Sequence, residues 1–176
     1  MGTVAIVDYG VGNLKSVANA LSYLGCSSCI TADPAELERA DAIILPGVGA
    51  FPDAADRLRS GGLDQHVLAQ GQKKPVLGIC LGMQLLLEQG REVRPCPGLG
   101  VIRGTVDRIP TQSKLPHIGW NSLRFFHHSP LFRGLDEGAY VYFVHSFSAQ
   151  DTDPAQVIAV TDYGPAVTAA VSSGNF

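Results

Sequence analysis

The sequence predicts an α/β fold: an open, mostly parallel sheet with helices on both faces and added antiparallel β-structure in the C-terminal half. Three observations predict it. In the first half, short apolar runs alternate with amphipathic segments. Those runs ("TVAIV", "AIIL", "PVLGI") are apolar throughout, as in strands covered on both faces. After residue 97 the pattern changes to strand-like segments separated by turn residues.

Residues 3–7 read as the first buried strand. "NLKSVANALSYLG" follows as a helix, with Leu14, Val17, Ala18, Leu21 and Leu24 on one face and Gly25 as its stop. Residues 28–31 form a short second strand. Asp33 is placed to cap the next helix, with Pro34 at its first position. "AIIL" (42–45) is the third strand, followed at once by "PGVGAF". Two helical segments run to Gly71, divided at Gly61-Gly62. Residues 75–79 form the fourth strand, and "LGMQLLLEQ" starts another helix. Short links between strand and helix imply parallel strands joined by right-handed crossovers. Beyond these, "GVIRGTVDRI", "SLRFF", "AYVYFVHSFSA", "QVIAVT" and "AVTAAV" read as strands.

A chain of 176 residues is the size of one domain, taken as 1–176. Its 13 basic residues are scattered and the net charge is −3, which argues against nucleic acid as a partner. No apolar run approaches the roughly 18 residues that span a bilayer, and no export signal is visible, so no membrane role is expected. Cys26, Cys29, Cys80 and Cys96 do not space as a disulfide framework, which points to a reducing cytoplasm. The C-x-x-C of Cys26 and Cys29 lacks a second ligand pair and follows a helix rather than opening one. It reads as two small residues at a helix-to-strand turn, and no metal or cofactor is expected.

Cys80 is the residue with chemistry to offer. Gly78-Ile79-Cys80-Leu81-Gly82 is the cysteine counterpart of the G-x-S-x-G strand-to-helix turn. Ligands of open parallel sheets bind beyond the carboxyl ends of the strands, and Cys80 sits at such an end. Free N–H groups at the following helix, Leu81 first, are expected to lower the thiol's pKa and hold an oxyanion. A second strand end, "LPGVGAF", carries Gly47 and Val48, whose backbone suits an oxyanion hole.

With these residues assembled, the chain resembles the class I (triad) glutamine amidotransferases. "IVDYGVGNLKSV", "PGVGAF", "GICLGMQLL", "LPHIGWN" and "YFVHSF" narrow the resemblance to the glutaminase subunits of imidazole glycerol phosphate synthases. It spans almost the whole chain and implies a flavodoxin-like open sheet. It also implies hydrolysis of glutamine, with ammonia passed to a (β/α)₈-barrel cyclase in a heterodimer of histidine biosynthesis. It makes Cys80 the nucleophile that forms a γ-glutamyl thioester, with Gly47 and Val48 on the oxyanion strand. It makes Gln84, Glu92 and the main chain of Ser146 and Phe147 contacts to substrate glutamine. Gly10, Asn13, His117, Trp120 and Asn121 lie in segments that face the partner in that family. Without the resemblance, Gln84 and Glu92 read as solvated helix-face residues, and Trp120 is open between plain core and an exposed interface anchor.

A thiol nucleophile needs a base. By position alone His145, after "YVYFV", is the best internal candidate, although no adjacent acid orients it. The family's catalytic His and Glu belong to an "FHPE"-type motif after an "AVxxGN" turn, and "AAVSSGNF" ends where that motif is due. A closing strand and C-terminal helix are expected beyond it. The alternative to an active glutaminase is a catalytically impaired subunit that only docks the cyclase.

Overall fold

The computed structural model describes residues 2–176. β1 (Thr3–Val7) is the middle of a parallel sheet, pairing with β2 (Ser27–Thr31) on one side and β3 (Ala42–Leu45) on the other. β4 (Val76–Gly78) pairs with β3, which completes the order β2-β1-β3-β4. The connecting helices begin where capping chemistry allows. α1 (Leu14–Tyr23) starts at Asn13, whose side chain accepts from the Ser16 N–H at 3.3 Å. α2 (Pro34–Arg39) starts at Asp33, which accepts from the Ala35 N–H at 2.9 Å, with Pro34 at the first position as expected. α3 (Phe51–Ser60) and α4 (Leu63–Gly71) are divided at Gly61-Gly62.

The two faces of this sheet are covered unevenly. Ala5, Val7, Ile43, Leu45 and Val76 are buried in the main core with Leu37 of α2, Phe51, Ala54 and Leu58 of α3, and Leu63 and Val67 of α4. The opposite row, Ile30, Ile6, Ile44 and Leu77 in register, has α1 lying against β1 and β2. α1 carries no fully buried residue, and Ile30 and Leu77 at the row's two ends remain exposed.

The helix expected after Cys80 is a single turn, α5 (Leu81–Gln84). Leu85, Leu86 and Leu87 are all buried, and the chain re-extends as β5 (Leu87–Gly90). An apolar triplet buried on every side has no helical periodicity to hold it, so pairing decides. β5 pairs antiparallel with β6 (Cys96–Pro97) and parallel with β7 (Ile102–Arg108), which in turn pairs with a later strand, β11 (Phe147–Gln150).

The remaining β-structure forms two further small sheets. β8 (His117–Ser122) pairs with β10 (Tyr140–His145). β9 (Arg124–Phe125) pairs with β12 (Val157–Asp162), which also pairs with β13 (Ala166–Val171). "AYVYFVHSFSA", read as one strand, is two: β10 and β11 lie in different sheets and break at Ser146.

Candidate active site

The order β2-β1-β3-β4 reverses direction between β1 and β3, and that crevice at the carboxyl edge is where such sheets bind ligands. Three segments leave the sheet there: Tyr9 after β1, the loop 46–50 after β3, and Cys80 after β4. The Ile79 N–H donates to the Leu45 carbonyl at 3.0 Å, so the β3–β4 ladder runs up to the residue before the cysteine.

Cys80 has φ 56° and ψ −115°, a backbone region costly for any residue with a Cβ. The turn thrusts its side chain outward, and the thiol is reachable from solvent. The loop 46–50 lies directly on this turn. A Cβ on Gly47 would stand 2.7 Å from the Gly82 nitrogen and 2.8 Å from the Leu81 Cβ. Only glycine permits that approach, and it sets Gly47, the half-exposed Val48 and Leu81 around the cysteine.

The loop is held at both ends by residues distant in sequence. Buried Tyr9 donates its hydroxyl to the Pro46 carbonyl at 2.6 Å. At the other end the Phe51 N–H donates to Glu92 Oε2 at 2.8 Å, so Glu92 caps α3, whose own N-cap, Ala50, has no side chain to do so. Arg94 reinforces this through an ion pair with Asp56 on α3. Glu92 is therefore not on a helix face. Its replacement by alanine is expected to cost about 1 kcal/mol in urea denaturation, the usual value of a cap. A cost indistinguishable from zero would show that the Phe51 N–H finds another acceptor.

The electrostatics of Cys80 differ from the expectation. Desolvation pushes the thiol above its ordinary value, and the hydrogen bond from the Leu81 backbone only partly opposes this. A one-turn helix supplies little dipole, and none of the causes acting on the thiol is a cation. Tyr9 is also pushed up, first by its burial and then by the nearby Cys80. Tyr9 escaped the sequence reading; its only signal was its place in "DYGVGN".

Gln84, one turn after Cys80, is buried, and its Nε2 donates to the Phe147 carbonyl at 3.0 Å. It is not the solvated helix-face residue of the alternative reading. The Ser146 carbonyl accepts from the Ile109 N–H at 2.9 Å, so both main-chain positions are already tied into the structure. His145 is not directed at Cys80. Its Nδ1 lies 2.9 Å from the Phe147 carbonyl and its Nε2 3.1 Å from His117 Nδ1, which commits both nitrogens.

The segments expected to face a partner divide by strand alternation. On β8 and β10 the outward residues are Ile118, Trp120, Tyr140, Tyr142 and Val144, with Trp120 70% exposed and edge-on to Tyr142. The inward residues include His117, which is buried, stacked between Phe143 and Tyr163. His117 thus lies in the expected segment but faces inward. Asn121 also turns away from the outer face, donating to the Asp162 carbonyl at 2.9 Å. Gly10 and Asn13 are exposed in the loop between β1 and α1.

The chain resembles solved glutamine amidotransferases in fold. A structure described as a glutamine amidotransferase matches with a TM-score of 0.71 at 20% identity, covering 90% of this chain and 80% of that one. PurLQS from Thermotoga maritima matches at 0.67 and 20%, covering 96% and 77%. Sequence relatives are much nearer. The imidazole glycerol phosphate synthase subunit HisH of Oceanobacillus iheyensis is 46% identical over 173 residues, 98% of this chain and 86% of that protein. The subunit of the same name from Symbiobacterium thermophilum is 46% identical over 176 residues, 99% and 83%. With the glutamine amidotransferase class-I model matching residues 5–175, nearly everything from β1 to the last residues, the chain belongs to the glutamine amidotransferase class-I family.

Proposed function

We propose that this protein, as one domain, hydrolyses glutamine to glutamate and ammonia and passes the ammonia to the cyclase subunit of an imidazole glycerol phosphate synthase, in histidine biosynthesis. The observation that carries the reading is Cys80 at positive φ on the strand-to-helix turn, with Gly47 packed against that turn. The Cys80 thiolate attacks the glutamine carboxamide carbon. The oxyanion that forms is held by backbone N–H groups of the 47–48 segment and of Leu81. The proton given up by the thiol passes to the amide nitrogen, which leaves as ammonia and gives a γ-glutamyl thioester, and water then cleaves the thioester to glutamate and free thiol. Gln84 and Glu92 orient the substrate, together with the main chain of Ser146 and Phe147. Because desolvation by the surrounding residues raises the thiol's pKa, attack requires a proton acceptor, and the engaged nitrogens of His145 do not provide one.

The outward face of β8 and β10 supports a protein partner. Two tyrosines and a tryptophan, residue types that anchor interfaces, stand exposed there together with an isoleucine and a valine. We assign this face, with Gly10 and Asn13, to a (β/α)₈-barrel cyclase. Four unpaired cysteines agree with a cytoplasmic setting. Among the described residues no helix is long and apolar enough to cross a membrane.

The test is incubation with an electrophilic glutamine analogue, with and without the cyclase, followed by peptide mass mapping and an ammonia assay. One adduct is expected, on Cys80 and not on Cys26, Cys29 or Cys96. An unlabelled Cys80 in the presence of the cyclase, or ammonia release that survives its loss, sinks the reading.

A further inference from the structure

Behind the outer face of β8 and β10 runs a row of polar side chains that the reaction does not use. Asn121 Nδ2 lies 3.3 Å from His117 Nε2, and His117 Nδ1 lies 3.1 Å from His145 Nε2. His145 Nδ1 lies 2.9 Å from the Phe147 carbonyl, which also accepts from Gln84. The ring protons in such a row are open until something fixes an end, and here both ends are fixed. A carbonyl can only accept, so His145 Nδ1 carries a proton and donates to Phe147. A neutral His145 then has a bare Nε2, so His117 must donate from Nδ1 and accept at Nε2. The far end demands the same answer independently. Asn121 Oδ1 accepts from the Ser122 N–H at 2.9 Å and Nδ2 donates to the Asp162 carbonyl. That orients the amide with its second N–H toward His117 Nε2.

Protonating either ring breaks the row. A second proton on His145 puts N–H against N–H at the 3.1 Å contact, and one on His117 sets its Nε2–H against the Asn121 amide. Desolvation also holds both histidines below the usual histidine value, reinforced at His117 by His145 and opposed at His145 by the bond to the Phe147 carbonyl. Tyr163 is a further titratable group against the pair: its ring stacks on His117 and its hydroxyl donates to the Lys114 carbonyl. Asp162, on the packed strand β12, turns its carboxylate to Arg124 at 3.5 Å.

We propose that Asn121, His117 and His145 form a one-way hydrogen-bond chain, both rings neutral and protonated at Nδ1, that positions the Phe147 carbonyl and through it the Gln84 carboxamide. It runs from the strand that carries Trp120 to the residue one turn beyond Cys80. The three are positioning residues, and their effect on substrate rests on the reading of Gln84 as a glutamine contact.

The experiment has one arm independent of glutamine. Long-range proton–nitrogen correlation spectra of the imidazoles at neutral pH are expected to show His117 and His145 as Nδ1–H tautomers, assigned by their loss in variants. An Nε2–H tautomer or an imidazolium at either position overturns the chain. The second arm compares H145N, whose amide nitrogen occupies the Nδ1 position, with H145Q, whose amide reaches only the Nε2 position. H145N is expected to recover the Gln84 side-chain amide resonance of the parent, and H145Q to lose it. Glutamine affinity is expected to follow, about tenfold weaker in H145Q than in H145N, the worth of one buried hydrogen bond. A packing role predicts the reverse order, since glutamine is nearer to histidine in size, and that order refutes the proposal. If the parent binds no glutamine, the proposed function falls, while the tautomers and the Gln84 resonance still decide the chain.

Discussion

Replacing Cys80 by glycine is expected to abolish glutamine-dependent ammonia release and, at the same time, to make the protein more stable than its alanine counterpart. Both follow from one conformation. At φ 56° and ψ −115° a residue with a Cβ is held in a region it avoids, at a cost of about 1–3 kcal/mol. Glycine relieves that cost, while its greater freedom in the unfolded chain returns about 0.5–1 kcal/mol of it. The Cys80→Gly variant should therefore exceed Cys80→Ala by about 1 kcal/mol in urea denaturation. Each variant lacks the sulfur, and the loss of rate should be about 10⁴-fold or more, the scale at which a nucleophile's removal is felt. Alanine is the right comparison because it removes the thiol and keeps the strain. If the two variants were equally stable, the backbone at this turn would not be strained. The fold would then spend nothing to hold the thiol where it stands.

Gly82→Ala should unfold the protein more readily than any other single methyl addition near the site, by about 3 kcal/mol or more. A Cβ at position 82 would fall on the Leu45 carbonyl oxygen and stand 3.2 Å from the Pro46 carbonyl carbon. These are backbone atoms, so no rotamer change makes room. The same Leu45 oxygen accepts the Ile79 N–H at 3.0 Å, and the Gly82 N–H donates to Ile79 at 2.9 Å. Moving β3 away would open the ladder that aligns Cys80 with the 46–50 loop. Gly61→Ala is the control: its Cβ would meet nothing closer than 3.6 Å and its backbone is helical, so stability should change by less than about 1 kcal/mol. Comparable losses at the two positions, measured by urea denaturation, would mean that crowding at the turn is not the cause.

Much of the frame was legible because its signals are local. Asp33 caps the helix that follows it through the Ala35 N–H, two residues on, with Pro34 at the first position. The apolar runs at 3–7 and 42–45 became β1 and β3 without adjustment. The turn at Cys80 could be read from its flanking glycines. The same local reasoning extended α5 too far, because "LLL" suits a helix as well as a buried strand and only β7 decides between them. It also assumed that a helix beginning at Leu81 would lower the thiol's pKa, and desolvation outweighs that in a helix of one turn.

The sequence by itself determined the strands and helices from β1 to β4, the cap at Asp33, the family, and Cys80 as the candidate nucleophile. These depend on dihedral preference and on neighbours a few residues away, which any stretch of chain carries with it. Tertiary structure decided what surrounds Cys80. Tyr9 reaches Pro46 across 37 residues, Glu92 reaches Phe51 across 41, and Gln84 reaches Phe147 across 63. His117 and His145, 28 residues apart, face each other only because β8 and β10 pair in that register. Buried polar groups must find partners wherever packing puts them, and packing is a property of the whole chain.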